Sequence, residues 1–285
     1  MKKNLLILAG KGKLPFLFKN LAEDKGYKVY TVGVKTITGT KTDFTVPFLG
    51  FTELEELLLE LGKPQLVMLG KFNPKIPLAL AEGFWEKFKV FLFGGKKKKN
   101  LDIFQELKRE IKIFLPEEIL KVFIRYMESK GFSFLPSEEI RDIAAPILAT
   151  EGNLTPSVDL KSEDLDEGIK FFNYAKRLAD MDIGQTLVFK NGHIVAVESL
   201  EGTDNTIKRA QKLVGKGISV VKVARTNQDF RMDVPAVGLQ TLKLLKKAKA
   251  KALFLEAGKV FIIEKEKFLS EAEKVGIAVI GLALR

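Results

Sequence analysis

The beginning of the chain alternates between apolar runs and helical patterns, and this alternation limits the possible folds more than any other feature. Residues 4–9 and 28–34 are apolar runs, and residues 14–26 between them have helical periodicity. A strand, a helix and a second strand in this order are typical of a parallel sheet with helices on both faces. Residues 52–61 and 65–70 repeat the helix and strand order. We therefore predict a Rossmann-like sheet in this half.

The second half also alternates, but its strands include a hairpin. Residues 185–190 and 193–199 are strand-like and are joined by a short turn. The chain has 285 residues, which is more than one ordinary core needs and fewer than three domains need. We predict an α/β fold with an N-terminal Rossmann-like parallel-sheet domain in 1–140, a linker in 141–160 and a C-terminal mixed α/β domain in 161–285.

Missing residue types exclude several classes of site. The chain has no cysteine and one histidine, His193. Disulfides, cysteine nucleophiles and zinc sites with cysteine ligands are therefore excluded. A Ser–His–Asp triad and a metal site with several histidines are disfavoured, so a metal would need oxygen ligands, which Mg²⁺, Mn²⁺ and Ca²⁺ prefer.

The formal net charge of +11 leaves two interpretations open. One is an anionic partner such as a phosphate, a nucleic acid or an acidic membrane surface, and the other is the lysine-rich surface of a thermophilic protein. No run of about 18 apolar residues occurs, and the first apolar run stops at Gly10, too early for a signal peptide. We expect a cytoplasmic protein that is either soluble or peripheral on the inner membrane.

The turn after the first apolar run contains Gly10, Gly12 and Pro15. It lacks the third glycine of a dinucleotide fingerprint and the Gly-Lys-Ser/Thr end of a Walker loop, and Lys35 stands where a ribose-binding acid is expected. Two glycines before a helix still allow backbone N–H groups to approach an anion. We predict that this turn binds substrate through Gly10, Gly12, Lys13, Leu14 and Pro15. A strand–helix turn without a ligand is the alternative.

Acidic residues occur in three loops of the second half, each after a strand-like run. The loops carry Glu201, Thr203 and Asp204, then Gln228, Asp229, Arg231 and Asp233, and finally Glu256. Carboxylates can hold Mg²⁺ on phosphate oxygens, while arginine or lysine neutralises charge on the attacked phosphoryl group. This mixture suits a divalent cation and a diphosphate. The structural alternatives are a helix cap for Asp204 and an ion-paired loop for Asp229 and Asp233.

Five short segments, spread in order over both halves, resemble one protein family. They are "AGKGKLP" at 9–15, "LGKF" at 69–72, "DIGQTLVFKNGHIVAVESLEGTD" at 182–204, "VKVARTNQDFRMDVPAVG" at 221–238 and "LEAG" at 255–258. With these segments the chain resembles the UDP-2,3-diacylglucosamine pyrophosphatases of the LpxI type, which act in lipid A assembly. The resemblance implies two domains with the substrate between them. It also implies Mg²⁺-dependent hydrolysis to UMP and 2,3-diacylglucosamine 1-phosphate (lipid X).

The matching positions indicate which residues carry this chemistry. The predicted catalytic residues are Asp233, Asp229 and Arg231, and the predicted ligands of Mg²⁺ or Mn²⁺ are Asp204, Asp229, Asp233 and Glu201. Besides the glycine turn, the predicted substrate-binding residues are Lys71, Gln185, Thr203, Lys222 and Gln228. Which acid binds metal and which acts as base is left open. The rival hypothesis, a basic nucleotide- or nucleic-acid-binding protein without catalysis, is disfavoured because no aromatic-rich strand pair for single strands is present.

Residues 83–100 combine aromatic side chains with the lysine run Lys96–Lys99. Such a segment suits an anionic membrane surface, which would be useful for a substrate with two acyl chains. We favour the alternative, a packed helix followed by a solvated lysine loop. Contact with the inner membrane surface and formation of a homo-oligomer therefore stay open, and no nucleic-acid partner is expected.

Overall fold

The computed structural model describes residues 3–35, 38–71, 97–111 and 116–284, and the chain forms two compact units. The first unit comprises Met1–Ile143 together with Asp229–Asp233, and the second comprises Ala144–Gln228 together with Val234–Arg285. Each unit is built on its own sheet. The predicted α/β fold, with a parallel sheet followed by a mixed sheet, is confirmed.

The described part of the first unit has a four-stranded sheet in the spatial order β3-β2-β1-β4, and all its pairings are parallel. The strands are β1 (Asn4–Ala9), β2 (Lys28–Val34), β3 (Phe44–Val46) and β4 (Gln65–Leu69). The central strand β1 is covered on both faces, since Leu5, Leu6 and Ile7 are fully buried. A strand buried on both faces is continuously apolar rather than alternating, which explains the first apolar run.

Helices surround this sheet. The helices described in the first unit are α1 (Leu14–Asp24), α2 (Phe51–Glu60), α3 (Lys97–Glu110), α4 (Pro116–Ser129) and α5 (Ser137–Ile143). Helix α1 has a proline in its first turn, where the missing N–H costs no hydrogen bond. Leu58 of α2, Phe104 of α3 and Met127 of α4 pack into one cluster with Leu66 of β4.

The second unit has a six-stranded sheet, among its described residues, in the order β5-β12-β10-β8-β6-β7. The strands are β5 (Gly152–Asn153), β6 (Thr186–Lys190), β7 (His193–Val197), β8 (Ser219–Lys222), β10 (Ala252–Glu256) and β12 (Ala278–Leu282). Strands β8, β10 and β12 are parallel to one another, whereas β5, β6 and β7 run antiparallel to their neighbours. A separate parallel ladder joins β9 (Ala236–Val237) to β11 (Phe261–Ile262).

The predicted hairpin is formed by β6 and β7. Its two turn residues, Asn191 and Gly192, have φ angles of 48° and 77°. Two-residue hairpin turns favour these residue types because both turn positions need a positive φ. His193 follows this turn and is exposed.

The helices of the second unit pack on opposite faces of its sheet. They are α6 (Ser162–Asp180), α7 (Thr203–Val214), α8 (Leu239–Lys247) and α9 (Lys265–Lys274). Phe171 of α6 packs with Phe189 and Phe254 of the strands. Side chains of α7, α8 and α9 pack in a different cluster with Val220 and Leu253. Since Leu253 and Phe254 are neighbours in one strand, the two clusters lie on opposite faces.

The segment 141–160, which we predicted as a linker, is part of the compact units. Helix α5 continues to Ile143, where the first unit ends, and β5 at Gly152–Asn153 is an antiparallel edge strand beside β12. Backbone hydrogen bonds tie the segment to the second sheet, including one of 2.8 Å from Leu154 N to Val279 O. Its prolines therefore mark turns within a packed segment.

The basic aromatic segment is covered only in part. Residues 83–95 and Lys96 lie outside the described residues. Helix α3 begins at Lys97, so the last three residues of the lysine run form helix where we expected a loop. In the described ranges, no helix combines the length and the apolar character that a membrane crossing requires.

Candidate active site

The glycine turn of the first unit lies where β1 and β4 end side by side. Gly10 N donates to Leu69 O at 2.8 Å, and Lys11 and Lys71 exchange two backbone hydrogen bonds of 3.0 and 2.9 Å. A Cβ atom on Gly10 would lie only 2.9 Å from the carbonyl carbon of Gly70. Gly10 is therefore explained by the close approach of two backbones, without a ligand.

Gly12 is in a different position, because no heavy atom lies within 4 Å of a Cβ built on it. Its φ of 105° favours glycine. Leu14 and Pro15 are buried at the start of α1, so they support the helix rather than face solvent. Three exposed lysines belong to the same pair of turns, namely Lys11, Lys13 and Lys71. This positive surface suits an anion.

Residues Asp229–Asp233 form a tight turn that belongs to the first unit. The N–H of Asp233 donates to the carbonyl of Asp229 at 3.2 Å. Ser137 of α5 holds the turn from outside, because its Oγ accepts from Phe230 N at 3.2 Å and donates to Asp229 Oδ1 at 3.4 Å. The turn is therefore fixed to the start of α5.

Asp229 and Arg231 form an ion pair inside this turn. The guanidinium donates to Asp229 through Nε at 2.9 Å and Nη2 at 2.8 Å, and its Nη1 donates to Glu128 Oε1 at 3.1 Å. Burial acts to raise the pKa of Asp229, but the hydrogen bonds and charge of Arg231 lower it below its ordinary value. Asp229 thus stays ionised, and Arg231 already has two carboxylate partners.

The third charged residue of the turn is Asp233, whose side chain is exposed. Its backbone is held by Asp229, as described above. The two aspartates that we predicted as catalytic are therefore not equivalent. Asp229 is half-buried and paired with Arg231, whereas Asp233 is exposed to solvent.

In the second unit, Lys222 ends β8 in a buried polar cluster. Its Nζ donates to Thr203 Oγ1 at 2.8 Å and to Thr186 Oγ1 at 3.2 Å. It also lies 3.6 Å from Glu198 Oε2, a buried oxygen that makes no hydrogen bond. Thr203 donates to the other oxygen of Glu198 at 3.0 Å. The charge of Lys222 therefore compensates the Glu198 carboxylate, whose side chain is 13% exposed and which was not among the predicted site residues.

Sheet direction explains why these residues meet. Because β6 is antiparallel to β8, its first residue, Thr186, pairs with the last residue of β8, Lys222. Strand β7 runs antiparallel to β6, so Glu198, which follows β7, reaches the same edge. The sequence signal for Glu198 is weak, since a glutamate after a strand is common.

Gln185 and Gln228, both predicted to bind substrate, are brought together. Gln185 Nε2 donates to Gln228 Oε1 at 3.0 Å, and Gln185 O accepts from Val223 N at 2.9 Å. The preceding Gly184 has no room for a side chain, because its Cβ would lie 1.9 Å from Glu198 O. The glycine of "DIGQ" therefore allows Gln185 to approach the end of β8.

The two predicted metal ligands of the second unit have protein partners. Arg209 donates to Glu201 at 2.7 Å and is the main cause of the lowered pKa of that carboxyl. Asp204 accepts from Thr241 Oγ1 at 2.9 Å. The N-cap of α7 is Gly202, so Asp204 is a first-turn acid rather than the cap that we considered.

No complete metal site is present among the side chains that the structure describes, since no three Asp, Glu or His residues are grouped to hold an ion. Glu201 and Asp204 belong to the second unit, whereas Asp229 and Asp233 belong to the first. Mg²⁺ commonly uses one or two carboxylates and takes its other ligands from water and substrate phosphates. Each unit contains two of the predicted acids, so a partial site of that kind is the most that these acids offer within one unit.

Lys176, which was not among the predicted site residues, and Glu256, the acid of the third predicted loop, are both buried. The sequence contains a signal for Lys176. It lies on the apolar stripe of α6 with Phe172 and Ala179, which are four residues before it and three after it. A lysine on such a stripe needs a buried partner.

Comparison with known proteins identifies the family. A model of the LpxI N-terminal domain matches residues 4–143, and a model of the LpxI C-terminal domain matches residues 150–280. The chain belongs to the LpxI family. A curated relative, the UDP-2,3-diacylglucosamine pyrophosphatase LpxI of Caulobacter vibrioides, is 24% identical over 174 residues. That alignment spans 58% of this chain and 61% of the relative's length.

Proposed function

We propose that this LpxI-family protein hydrolyses the pyrophosphate bond of UDP-2,3-diacylglucosamine to UMP and 2,3-diacylglucosamine 1-phosphate in lipid A biosynthesis. The observation that carries the proposal is the turn Asp229–Asp233, where the pair of Asp229 and Arg231 supports a second carboxylate that is exposed. The activity named for the Caulobacter relative supports the same reaction class.

Hydrolysis forms a P–O bond from water and breaks the bridging P–O bond of the diphosphate. The attacking water must lose a proton, and we assign Asp233 as the group that accepts it, because its carboxylate is exposed to solvent. Asp229 suits a positioning role, since its pKa is lowered and its oxygens are occupied by Arg231. The proton taken by Asp233 then passes to solvent.

Substrate recognition is assigned to neutral amides and to lysines. The amides of Gln185 and Gln228 can donate and accept hydrogen bonds, which suits the nucleotide or sugar part. Exposed Lys13 and Lys71 suit the phosphates. Lys222 is 5% exposed, so we propose that it orients Thr203 and does not contact the substrate directly.

We also propose that Mg²⁺, or Mn²⁺ in its place, is required and enters with the diphosphate. The ion would neutralise charge on the phosphate oxygens when bound. Each unit supplies two of the predicted acids, and a Mg²⁺ ion carried by phosphates needs only one or two carboxylates. No step of the proton transfer above depends on the ion.

The test is incubation with UDP-2,3-diacylglucosamine, with Mg²⁺, with Mn²⁺ and with a chelator, followed by measurement of UMP. UMP and lipid X should form in equal amounts, and only with metal. Absence of UMP under all conditions, together with retained binding of the UDP-sugar, would favour the non-catalytic nucleotide-binding protein. UMP formation at full rate with the chelator would remove the metal requirement alone.

We further propose contact with the inner membrane surface, because a substrate with two acyl chains resides mainly in bilayers or micelles. The net charge of +11 supports attraction to anionic lipids. The protein should co-sediment with anionic vesicles at low salt and not with neutral vesicles. Equal sedimentation with both vesicle types would contradict this contact.

A further inference from the structure

A buried ion pair links α6 to the end of β10 in the second unit. Lys176 Nζ lies 3.1 Å from both oxygens of Glu256, and the two side chains are 5% and 3% exposed. Removing two charges from water is costly, and apolar residues of similar size often stabilise a fold equally well. Stability alone therefore does not explain this pair.

Both charges also bond to the backbone of one residue, Ala224. Lys176 Nζ donates to Ala224 O at 2.7 Å, and Ala224 N donates to Glu256 Oε2 at 2.8 Å. Ala224 follows the end of β8 and is fully buried. A buried backbone group without a partner is costly, so the ion pair satisfies Ala224 at the place where the strand ladder stops.

The residues after Ala224 are anchored in the same way by the end of α6. Asp180 accepts from Thr226 N at 2.6 Å and from Thr226 Oγ1 at 2.8 Å. The guanidinium of Arg225 pairs with Asp182. Side chains of one helix end thus hold three successive residues of an irregular segment.

This segment leads to Gln228, one of the proposed substrate-binding residues. Gln228 Oε1 accepts from Arg225 N at 3.1 Å and from Gln185 Nε2 at 3.0 Å. The orientation of the Gln228 amide therefore depends on where the backbone of Arg225 lies. That position in turn depends on Ala224 and its two charged partners.

We propose that Lys176 and Glu256 are positioning residues, which hold Ala224 and so place the amides of Gln185 and Gln228 for substrate binding. The proposal rests on the proposed function for the statement that these amides bind substrate. The positioning itself is a property of the second unit and can be measured without substrate.

The test replaces the pair with apolar residues, K176M/E256L, in the full chain. Hydrogen exchange of the amides of residues 224–228 should accelerate about tenfold or more, because two hydrogen bonds to charged groups are lost. Exchange in β10 and β12 should not change. The KM for UDP-2,3-diacylglucosamine should rise about tenfold, with a smaller change in kcat, because a binding group is displaced.

The matched control is D164L/K251M. Asp164 in the first turn of α6 and Lys251 just before β10 form an ion pair of 2.7 Å between the same two elements, at their other ends. This variant should leave both the exchange of 224–228 and KM unchanged. Mere destabilisation would lower the active fraction and kcat without changing KM, so KM separates positioning from a purely structural role.

A second variant, Asp180→Ala, guards against a double variant that fails to fold. Asp180 is exposed, and its loss should accelerate exchange at Thr226 while the melting temperature changes little. Unchanged exchange of 224–228 in the folded variants would overturn the positioning. Faster exchange with an unchanged KM would overturn its link to substrate binding. Absence of UMP from the wild type, with faster exchange in the variants, would reject the proposed function and leave the positioning standing.

Discussion

The two units treat the ends of their strands differently. In the first unit, the close contact at the strand ends is made by the backbones of Gly10 and Gly70, and the neighbouring charge of Lys71 is exposed. In the second unit, Lys222 and Glu256 end their strands with charged side chains that are 7% and 3% exposed. We call the strand ends of the first unit the backbone edge and those of the second unit the buried edge.

This difference between exposed and buried charge indicates that the two edges serve different purposes. An exposed charge can meet a ligand and adds little to stability, whereas a buried charge without its partner is strongly destabilising. We therefore expect charge changes in the first unit to alter activity more than stability. Charge changes at the buried edge of the second unit should alter stability as well.

Asp233→Asn should have the largest effect of the exposed charges. We expect kcat/KM to fall about 10²- to 10⁴-fold, because the group that accepts the proton is lost, while the melting temperature stays the same. Asp142→Asn is the control, since Asp142 is another exposed aspartate of the same unit. Wild-type turnover in Asp233→Asn would remove the proton acceptor from the proposed mechanism.

Lys222→Met tests the buried edge. It leaves the largely buried Glu198 carboxylate without its cation, and we expect the free energy of unfolding to fall by about 3 kcal/mol in urea titrations. Lys212→Met, at an exposed lysine of the same unit, should change it by about 0.5 kcal/mol or less. The double variant K222M/E198L should recover much of the loss. Equal losses of stability in Lys222→Met and Lys212→Met would contradict the difference between buried and exposed charge.

Gly10→Ala tests the backbone edge. The new Cβ would lie 2.9 Å from the backbone of Gly70, and such overpacking costs about 1–3 kcal/mol. Gly12→Ala meets no atom within 4 Å but has a φ of 105°, so strain alone should cost about 1 kcal/mol. In urea titrations, Gly10→Ala should have a lower free energy of unfolding than Gly12→Ala. The reverse order would contradict the backbone contact.

The smallest effect concerns the pH dependence of Asp229. Its pKa in the folded protein is below the ordinary value of 3.8, because Arg231 outweighs the effect of burial. A lowered pKa gives stability that is present above the unfolded value and is lost as the pH falls through the folded value. The difference in unfolding free energy between wild type and Asp229→Asn should therefore be constant above about pH 5 and narrow below pH 3.8. A difference independent of pH down to about 2.5 would show that the ion pair contributes nothing.

Several features of the fold were predictable because they depend on residues close together in the chain. The apolar run of β1, the proline in α1 and the Asn191–Gly192 hairpin turn each follow from local rules. The segment 141–160, which we predicted as a linker, was harder to interpret, since prolines mark turns whether or not a segment packs. Edge strand β5 within it is recognised only from its partner β12.

The candidate site likewise has features that were predictable from the sequence and features that depend on distant residues. Resemblance to the family identified Gln185, Gln228 and the turn Asp229–Asp233, but not the different surroundings of the two aspartates. The surroundings of Asp229 and Arg231 include Ser137 and Glu128, which lie far from the turn in sequence.

The sequence by itself determined the alternating α/β order, the exclusion of thiol chemistry and the family, since these depend on local patterns and residue types. Only the tertiary structure decided that Gly10 faces Gly70 and that Lys176 meets Glu256, which is 80 residues away. Such contacts follow from strand order and direction in a sheet. Parallel strands bring their ends to one edge however far apart they are in the chain, and local periodicity carries no information about which ends become neighbours.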